Sequence, residues 1–200
     1  LVTSYTYTAE PTSGTDLPGG LILTMTDPLG TVTEYTYGTN ATLGSFAQVT
    51  AITLAAGTTA ARTISFAYDS DRRLTSQTDP TGATTSFVYD DLGRLTQTTY
   101  ADPDATGPLA APVVSRVYDS LGRLTEVTDP LGNKTTRAYN FRDQVTSVTY
   151  ADSTSESWSY DLSGRIVDYT DQMGSIFSYT YDAAGRMTVV TLPDPDPMGP

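Results

Sequence analysis

Short runs in which apolar or aromatic residues alternate with small polar ones recur along the whole chain, and a cluster containing Asp and Gly closes most of them. Residues 123–128 (RLTEVT) and 133–139 (NKTTRAY) are typical, rich in Thr, Val and Tyr. A period of two over five to seven residues predicts strands with one face turned inward. The clusters around these runs are Asp119-Ser120-Leu121-Gly122 and Asp129-Pro130-Leu131-Gly132. Both predict type I turns: Asp bonds its own backbone, Pro presets φ at the second position, and Gly takes the left-handed position at the end. Strand, turn, strand and turn together predict a β-hairpin that the next unit extends.

The unit repeats. Tyr68, Tyr89, Tyr118, Tyr139, Tyr160 and Tyr181 open successive copies, spaced 21 residues apart except for 29 between Tyr89 and Tyr118. Asp69, Asp90, Asp119, Asp161 and Asp182 follow five of these tyrosines, and Gly93, Gly122, Gly164 and Gly185 end four of the turns. The long interval carries an insertion loop over 101–112, rich in Pro, Gly and Ala. Degenerate units fill 1–67, around Tyr7 and Tyr37, with their excess length in the loops TAEPTSGTDLPGG and GTNATLGSFAQ. Regular units run over 68–192, and 193–200 is a terminal turn or linker, so 1–200 is a single array. Two copies bend the turn rule: Arg72 stands in a glycine's place, and in YNFRDQV Asn140 replaces Asp while Asp143 replaces Gly. A positive φ at Arg72 costs about 1 kcal/mol.

Two ladders follow from the alignment. Tyr5, Tyr35, Phe66, Phe87, Arg116, Arg137, Trp158 and Tyr179 stand two positions before each Tyr and share its face. Leu74, Leu95, Leu124, Val145, Ile166 and Met187 form an apolar column. No single unit hides enough surface to fold, so stacked units are expected to share one continuous apolar core.

Composition narrows the chemistry. The chain has no His and no Cys, which excludes Ser-His-Asp and Cys-His constellations, a thiolate nucleophile, an ordinary zinc site and disulfide staples. The net charge of −12 disfavours nucleic acid and anionic lipid, and otherwise serves solubility. No run reaches the ~18 apolar residues of a membrane span, and no signal peptide is visible. Beginning at Leu1 rather than Met, the chain reads as a mature or excised piece of something longer.

The segments YDDLGRLTQTTY, YDSLGRLTEVTDPLGNKTT, YDLSGRIVDYTDQMG and YDAAGRMTVVT resemble the YD-repeat family. These are the rearrangement-hotspot repeats of bacterial Rhs toxins, insecticidal toxin-complex shells, wall-associated bacterial proteins and animal teneurins. The resemblance covers essentially the whole chain. It implies an all-β fold of tandem antiparallel hairpins in an extended, twisted or spiralling sheet, a ribbon or partial shell. Shells of the family are far longer, so this chain is not expected to enclose cargo alone. The family's shell-closing aspartyl-protease region has no counterpart, because Asp196-Pro197-Met198-Gly199 reads as one more turn.

Candidate sites compete with structural roles. The pairs Asp90/Arg94, Asp119/Arg123, Asp161/Arg165 and Asp182/Arg186 form either a charged binding column or turn scaffolding, and repetition in every unit favours scaffolding. Acids at Asp69/Asp71, Asp90/Asp91, Asp102/Asp104 and Asp194/Asp196 are oxygen donors suited to calcium, yet none has the spacing of a dedicated loop. A carboxylate pair for glycoside hydrolysis is geometrically conceivable, but turn carboxylates in every copy are better read as scaffold. Trp158 and the tyrosines would serve a sugar platform or a sheet core, and the core is preferred. Asn40-Ala41-Thr42 and Asn133-Lys134-Thr135 are glycan acceptor sequons in a suitable host.

The expected function is a non-catalytic structural segment of a secreted or cell-surface bacterial protein, with no catalytic residue, cofactor or metal. The alternative is an adhesion module for glycans or partner proteins. Joining the C-terminal DPMGP to LVTSYTY nearly reproduces the internal DPLGTVTEYTY. The ends are therefore in phase for end-to-end self-association, or for continuation into further repeats.

Overall fold

Thr, Val and Tyr at alternate positions favour a pleated backbone, and the computed structural model has sixteen strands and no helix among its described residues, 2–9, 18–38, 48–104 and 109–193. The sequon at Asn40, the acids Asp194 and Asp196, the turn 196–199 and the centres of the three longest loops lie outside the described residues.

The chain divides into two compact units, 1–112 and 113–200, at the end of the insertion loop. The first unit holds β1 (Ser4–Tyr7), β2 (Ile22–Thr26), β3 (Val32–Gly38), β4 (Gln48–Leu54), β5 (Arg62–Tyr68), β6 (Leu74–Thr78), β7 (Thr84–Tyr89) and β8 (Leu95–Thr99). The second holds β9 (Val113–Tyr118), β10 (Leu124–Thr128), β11 (Lys134–Tyr139), β12 (Val145–Thr149), β13 (Ser155–Tyr160), β14 (Ile166–Thr170), β15 (Ile176–Tyr181) and β16 (Met187–Thr191). Within each unit every strand pairs antiparallel with its chain neighbour, as a meander.

The turns follow from Asp and Gly. The Gly122 N–H donates to the Asp119 carbonyl at 3.0 Å and the Asp119 N–H to the Arg123 carbonyl at 2.9 Å. The Asp119 carboxylate accepts from the N–H groups of Leu121 (3.0 Å) and Arg123 (2.9 Å), so one oxygen holds the loop. Asp129 repeats this with Leu131 at 2.8 Å and Asn133 at 2.9 Å. Gly122 and Gly132 have φ of 86° and 84°. Arg72 and Asp143, in equivalent places, have φ of 65° and 62°, and Ser153 closes a turn begun by Tyr150 at 69°.

Beside each tyrosine the ladder slips by one residue. Tyr139 faces Val145 while Ala138 faces Ser147, so Thr146 is extra; the same bulge recurs at Tyr7, Tyr37, Tyr68, Tyr89, Tyr160 and Tyr181. The bulge turns Val145 and Val148, three positions apart, onto one face with Arg137 and Tyr139. That face collects the aromatic and apolar ladders, and the other carries mainly Ser and Thr, with hydroxyl pairs such as Thr53–Thr63 at 2.9 Å.

The expectation of a continuous apolar core is corrected. Among the described residues only Val148, Thr33 and Thr98 are buried, and no large side chain is fully so. Leu74, Leu95, Leu124, Val145 and Ile166 are half-buried and Met187 is exposed. A single sheet layer covers its ladders only from the sides, and closing a core takes a second layer.

A methyl group built on Gly132 meets no atom within 4 Å, so Gly132→Ala strains only the backbone. The expected cost is about 1 kcal/mol, read as a lower urea midpoint with unchanged slope; an unchanged midpoint would contradict the left-handed turn.

Candidate functional site

The recurring Y-D-x-x-G-R residues converge where one repeat meets the next. The Arg123 Nε donates to Asp119 Oδ2 of its own turn at 2.7 Å. Its guanidinium carbon lies 4.9 Å from the ring centre of Tyr139, and its Nη1 donates to the Asn140 carbonyl at 2.8 Å. Arg73 does the same with Asp69 (2.7 Å), the Tyr89 ring (5.1 Å) and the Asp90 carbonyl (3.1 Å). Arg165 does so with Asp161 (2.7 Å), the Tyr181 ring (4.5 Å) and the Asp182 carbonyl (3.4 Å). Arg94 and Arg186 bridge Asp90 and Asp182 at 2.6 and 2.7 Å. A planar, multiply donating cation is needed to meet a carboxylate, a ring face and a carbonyl together, which a lysine ammonium does not do.

The tyrosine completes the junction from the other side. Tyr139 Oη donates to the Leu124 carbonyl at 2.7 Å, Tyr160 to Val145 at 2.7 Å and Tyr181 to Ile166 at 2.8 Å. Tyr89 reaches Leu74 at 3.0 Å, Tyr68 reaches Val49 at 3.0 Å and Tyr37 reaches Ile22 at 2.8 Å. In each case the acceptor lies at the bulge, opening its strand except for Val49, the second residue of β4, and burial pushes the phenols of Tyr37 and Tyr160 up.

The degenerate copies reach the next turn with neutral groups, at the carbonyl that ends it. Asn140 Nδ2 donates to Gln144 Oε1 at 3.0 Å, and Gln144 Nε2 reaches the Gly164 carbonyl at 2.8 Å. Gln48 Nε2 makes the matching bond to the Arg72 carbonyl at 3.0 Å. Sequence reading missed both glutamines, although Gln144 stands immediately before Val145 of the apolar column, where Arg stands in other units, and Gln48 immediately before Val49. It also missed the bulges, which leave no mark on composition.

Several of the remaining candidates find structural partners among the described residues. Asp69 and Asp71 both face Arg73, at 2.7 and 3.2 Å. Asp102 accepts from the Asp104 N–H at 3.1 Å. No group of three metal-ligating side chains converges among the described residues. Asn133 Nδ2 donates to Asp129 Oδ2 at 2.8 Å. Trp158 stacks on Tyr169 with ring centres 5.6 Å apart and planes at 24°, and Tyr169 on Phe177 at 5.7 Å and 27°. The rings turn their faces to one another across three strands. Beside them lies a concavity of about 390 Å³, lined by Trp158, Ile166, Tyr169, Tyr179, Tyr181 and Met187.

The turn carboxyls are held below their ordinary value, Asp69, Asp90, Asp119, Asp161 and Asp182 chiefly by the backbone N–H four residues on, Asp129 by the Asn133 amide and Asp79 by the Thr81 hydroxyl. A carboxyl depressed by folding adds stability above its unfolded pKa of about 3.9, and loses it as pH falls through the folded value. Urea midpoints are therefore expected to hold from pH 7 to about 5 and to drop progressively below about 4; a midpoint rising on acidification would contradict this assignment.

The geometry has counterparts among known proteins. The RHS Repeat family matches residues 48–84, 68–105, 118–155 and 160–196, more than half of the chain. The chain has no match among curated proteins. It superposes on the crystal structure of TcdB2-TccC3 without its hypervariable C-terminal region with a TM-score of 0.67 and 16% identity, over 89% of this chain and 10% of that one. For TcdB2-TccC3-Cdc42 the values are 0.64, 16%, 86% and 10%. For a Photorhabdus luminescens Tc holotoxin pore they are 0.61, 17%, 86% and 9%. This chain spans about a tenth of those chains, and the likeness is one of fold. With its repeats matched and its hairpins arranged as theirs are, the chain belongs to the RHS repeat family.

Proposed function

We propose that this chain is a non-catalytic building segment of a secreted or cell-surface bacterial protein, extending a β-scaffold by continuation into further repeats or by head-to-tail stacking. The supporting observation is where the recurring polar groups are engaged. The Asp, Arg and Tyr that recur most faithfully bond turn backbone and the neighbouring repeat. Such groups serve architecture, because a reactive site needs polar groups left to face a substrate.

A scaffold inside a larger assembly also accounts for the apolar turn tips. Leu121, Phe141 and Leu162 stand at the tips of the successive turns that follow Tyr118, Tyr139 and Tyr160, 71%, 85% and 89% exposed. A recurring apolar row on one rim suits contact with another protein surface, which keeps the adhesion alternative on its protein-binding side. Glycan binding is the weaker form, since stacked rings spend their faces on each other. The toxin-complex structures that share the fold favour an extracellular setting.

Purified chain offered polysaccharide, peptide and ester substrates is expected to show no turnover, and a glycan array no retention. Electron micrographs of the same sample are expected to show uniform particles or fibres. Turnover that survives repurification would overturn the non-catalytic reading, and specific retention on the array would replace scaffold with adhesin.

A further inference from the structure

Two rows of side chains cross β13 to β16 on the ladder face. In one row Trp158 faces Tyr169 and Tyr179 faces Val190. In the other, nearer the Tyr-Asp turns, Tyr160 faces Ile166 and Tyr181 faces Met187. The concavity of about 390 Å³ takes its lining from both, with Trp158, Tyr169 and Tyr179 on one side and Ile166, Tyr181 and Met187 on the other. It is therefore a groove running across the strands, of a size usual for small-molecule sites. Residues two apart on a strand stand about 6.5 Å apart, and four adjacent strands span about 14 Å, so the groove suits a flat, rod-like molecule. Five of the six lining residues lie on β13, β14 and β15. The groove thus does not depend on which strand is outermost, and a further strand would lengthen it.

Ring and aliphatic surface is what this groove chiefly offers, since Tyr181 Oη already donates to the Ile166 carbonyl at 2.8 Å. The charge around it is negative. Residues 155–191 hold five carboxylates, Glu156, Asp161, Asp168, Asp171 and Asp182, against two guanidiniums, Arg165 and Arg186. Asp161 and Asp182 pair with those arginines. Neutral groups hold the other three: Tyr150 and Gln172 at Glu156, Ser159 and Ser178 at Asp168, and the N–H groups of Met173 and Ser175 at Asp171. Their charge stays uncompensated. Aromatic lining and a negative field both favour a cation. Earlier in the same unit Arg116 and Arg137 stand where Trp158 stands, and there the row repels one.

We propose that this groove binds flat, elongated aromatic cations, which lie across the strands along the ring row. A small-molecule site of this kind goes beyond the scaffold role and leaves it in place.

Trp158 is the single tryptophan of the chain and reports on the groove without any substitution. Thioflavin T, a flat benzothiazolium cation, is titrated into the intact chain after high-speed centrifugation has removed any fibres. Dye emission and Trp158 emission are followed together. Both are expected to change along one saturable curve, the dye brightening as Trp158 dims. Anilinonaphthalene sulfonate, an aromatic anion, is expected to bind at least about tenfold more weakly. Tyr169→Ala is expected to weaken thioflavin T about tenfold, the loss of a ring contact with a cationic ring system. Phe87→Ala, which removes a ring of the same ladder in the other unit, opposite Thr98, is expected to leave binding unchanged. The parent titration decides the matter even where Tyr169→Ala does not fold. Dye that brightens while Trp158 stays constant would place the ligand elsewhere and overturn the proposal. Equal affinity for the anion, or no saturable binding by the soluble chain, would overturn it too. None of these results touches the scaffold reading, which turnover or glycan retention would overturn.

Discussion

A two-stranded hairpin standing alone in water is at best marginally stable, so each repeat here must draw stability from the next. The contact that supplies it is the arginine after the turn glycine. Arg123 ties its own turn through Asp119, covers the ring of Tyr139 and bonds the carbonyl of Asn140. Tyr139 answers with its hydroxyl on the Leu124 carbonyl. Each contact is worth on the order of 1 kcal/mol or less, yet together they fix which strand follows and in what register. Half-buried ladders then add apolar contact along one face, which a single sheet layer cannot enclose.

The aspartate shows how one side chain serves two levels of structure. One carboxylate oxygen of Asp119 gathers backbone N–H groups within the turn, and the other holds the arginine that reaches the next repeat. Local folding and repeat assembly thus share one charge. Asn140 and Gln144 also tie the turn to the next repeat without charge, with the Asn140 amide donating to Gln144 and Gln144 reaching the Gly164 carbonyl at the end of the next turn. What the junction requires is donors and acceptors at the correct reach; the ion pair is one way of supplying them.

Hairpins, turns and their left-handed glycines were legible in the sequence because each depends on local chemistry. Asp119 and Asp129 announce turns, and Gly122 and Gly132 end them. The Arg–Tyr junction was half legible. Recurrence marked Asp119 and Arg123 as scaffold, but their reach to Tyr139 and Asn140 depends on strand order and register, which a sequence pattern does not give. The expected continuous apolar core failed for a related reason. Periodicity tells which side chains share a face, as with Leu124 and Val145, but not whether a second layer covers that face. The bulge beside Tyr139 was invisible, since the residue it adds is an ordinary Thr146.

The chain belongs to the RHS repeat family and shares its fold with toxin-complex structures, and the junction chemistry explains how one short repeat is joined to the next. The most direct test is a double-mutant cycle on unfolding free energy between Arg123 and Tyr139, each changed to Ala, with Arg123 and Tyr181 as the distant pair. The neighbouring pair is expected to couple by about 1 kcal/mol while the distant pair adds within about 0.5 kcal/mol. Simple additivity for Arg123 and Tyr139 would contradict the claim that this contact joins the repeats.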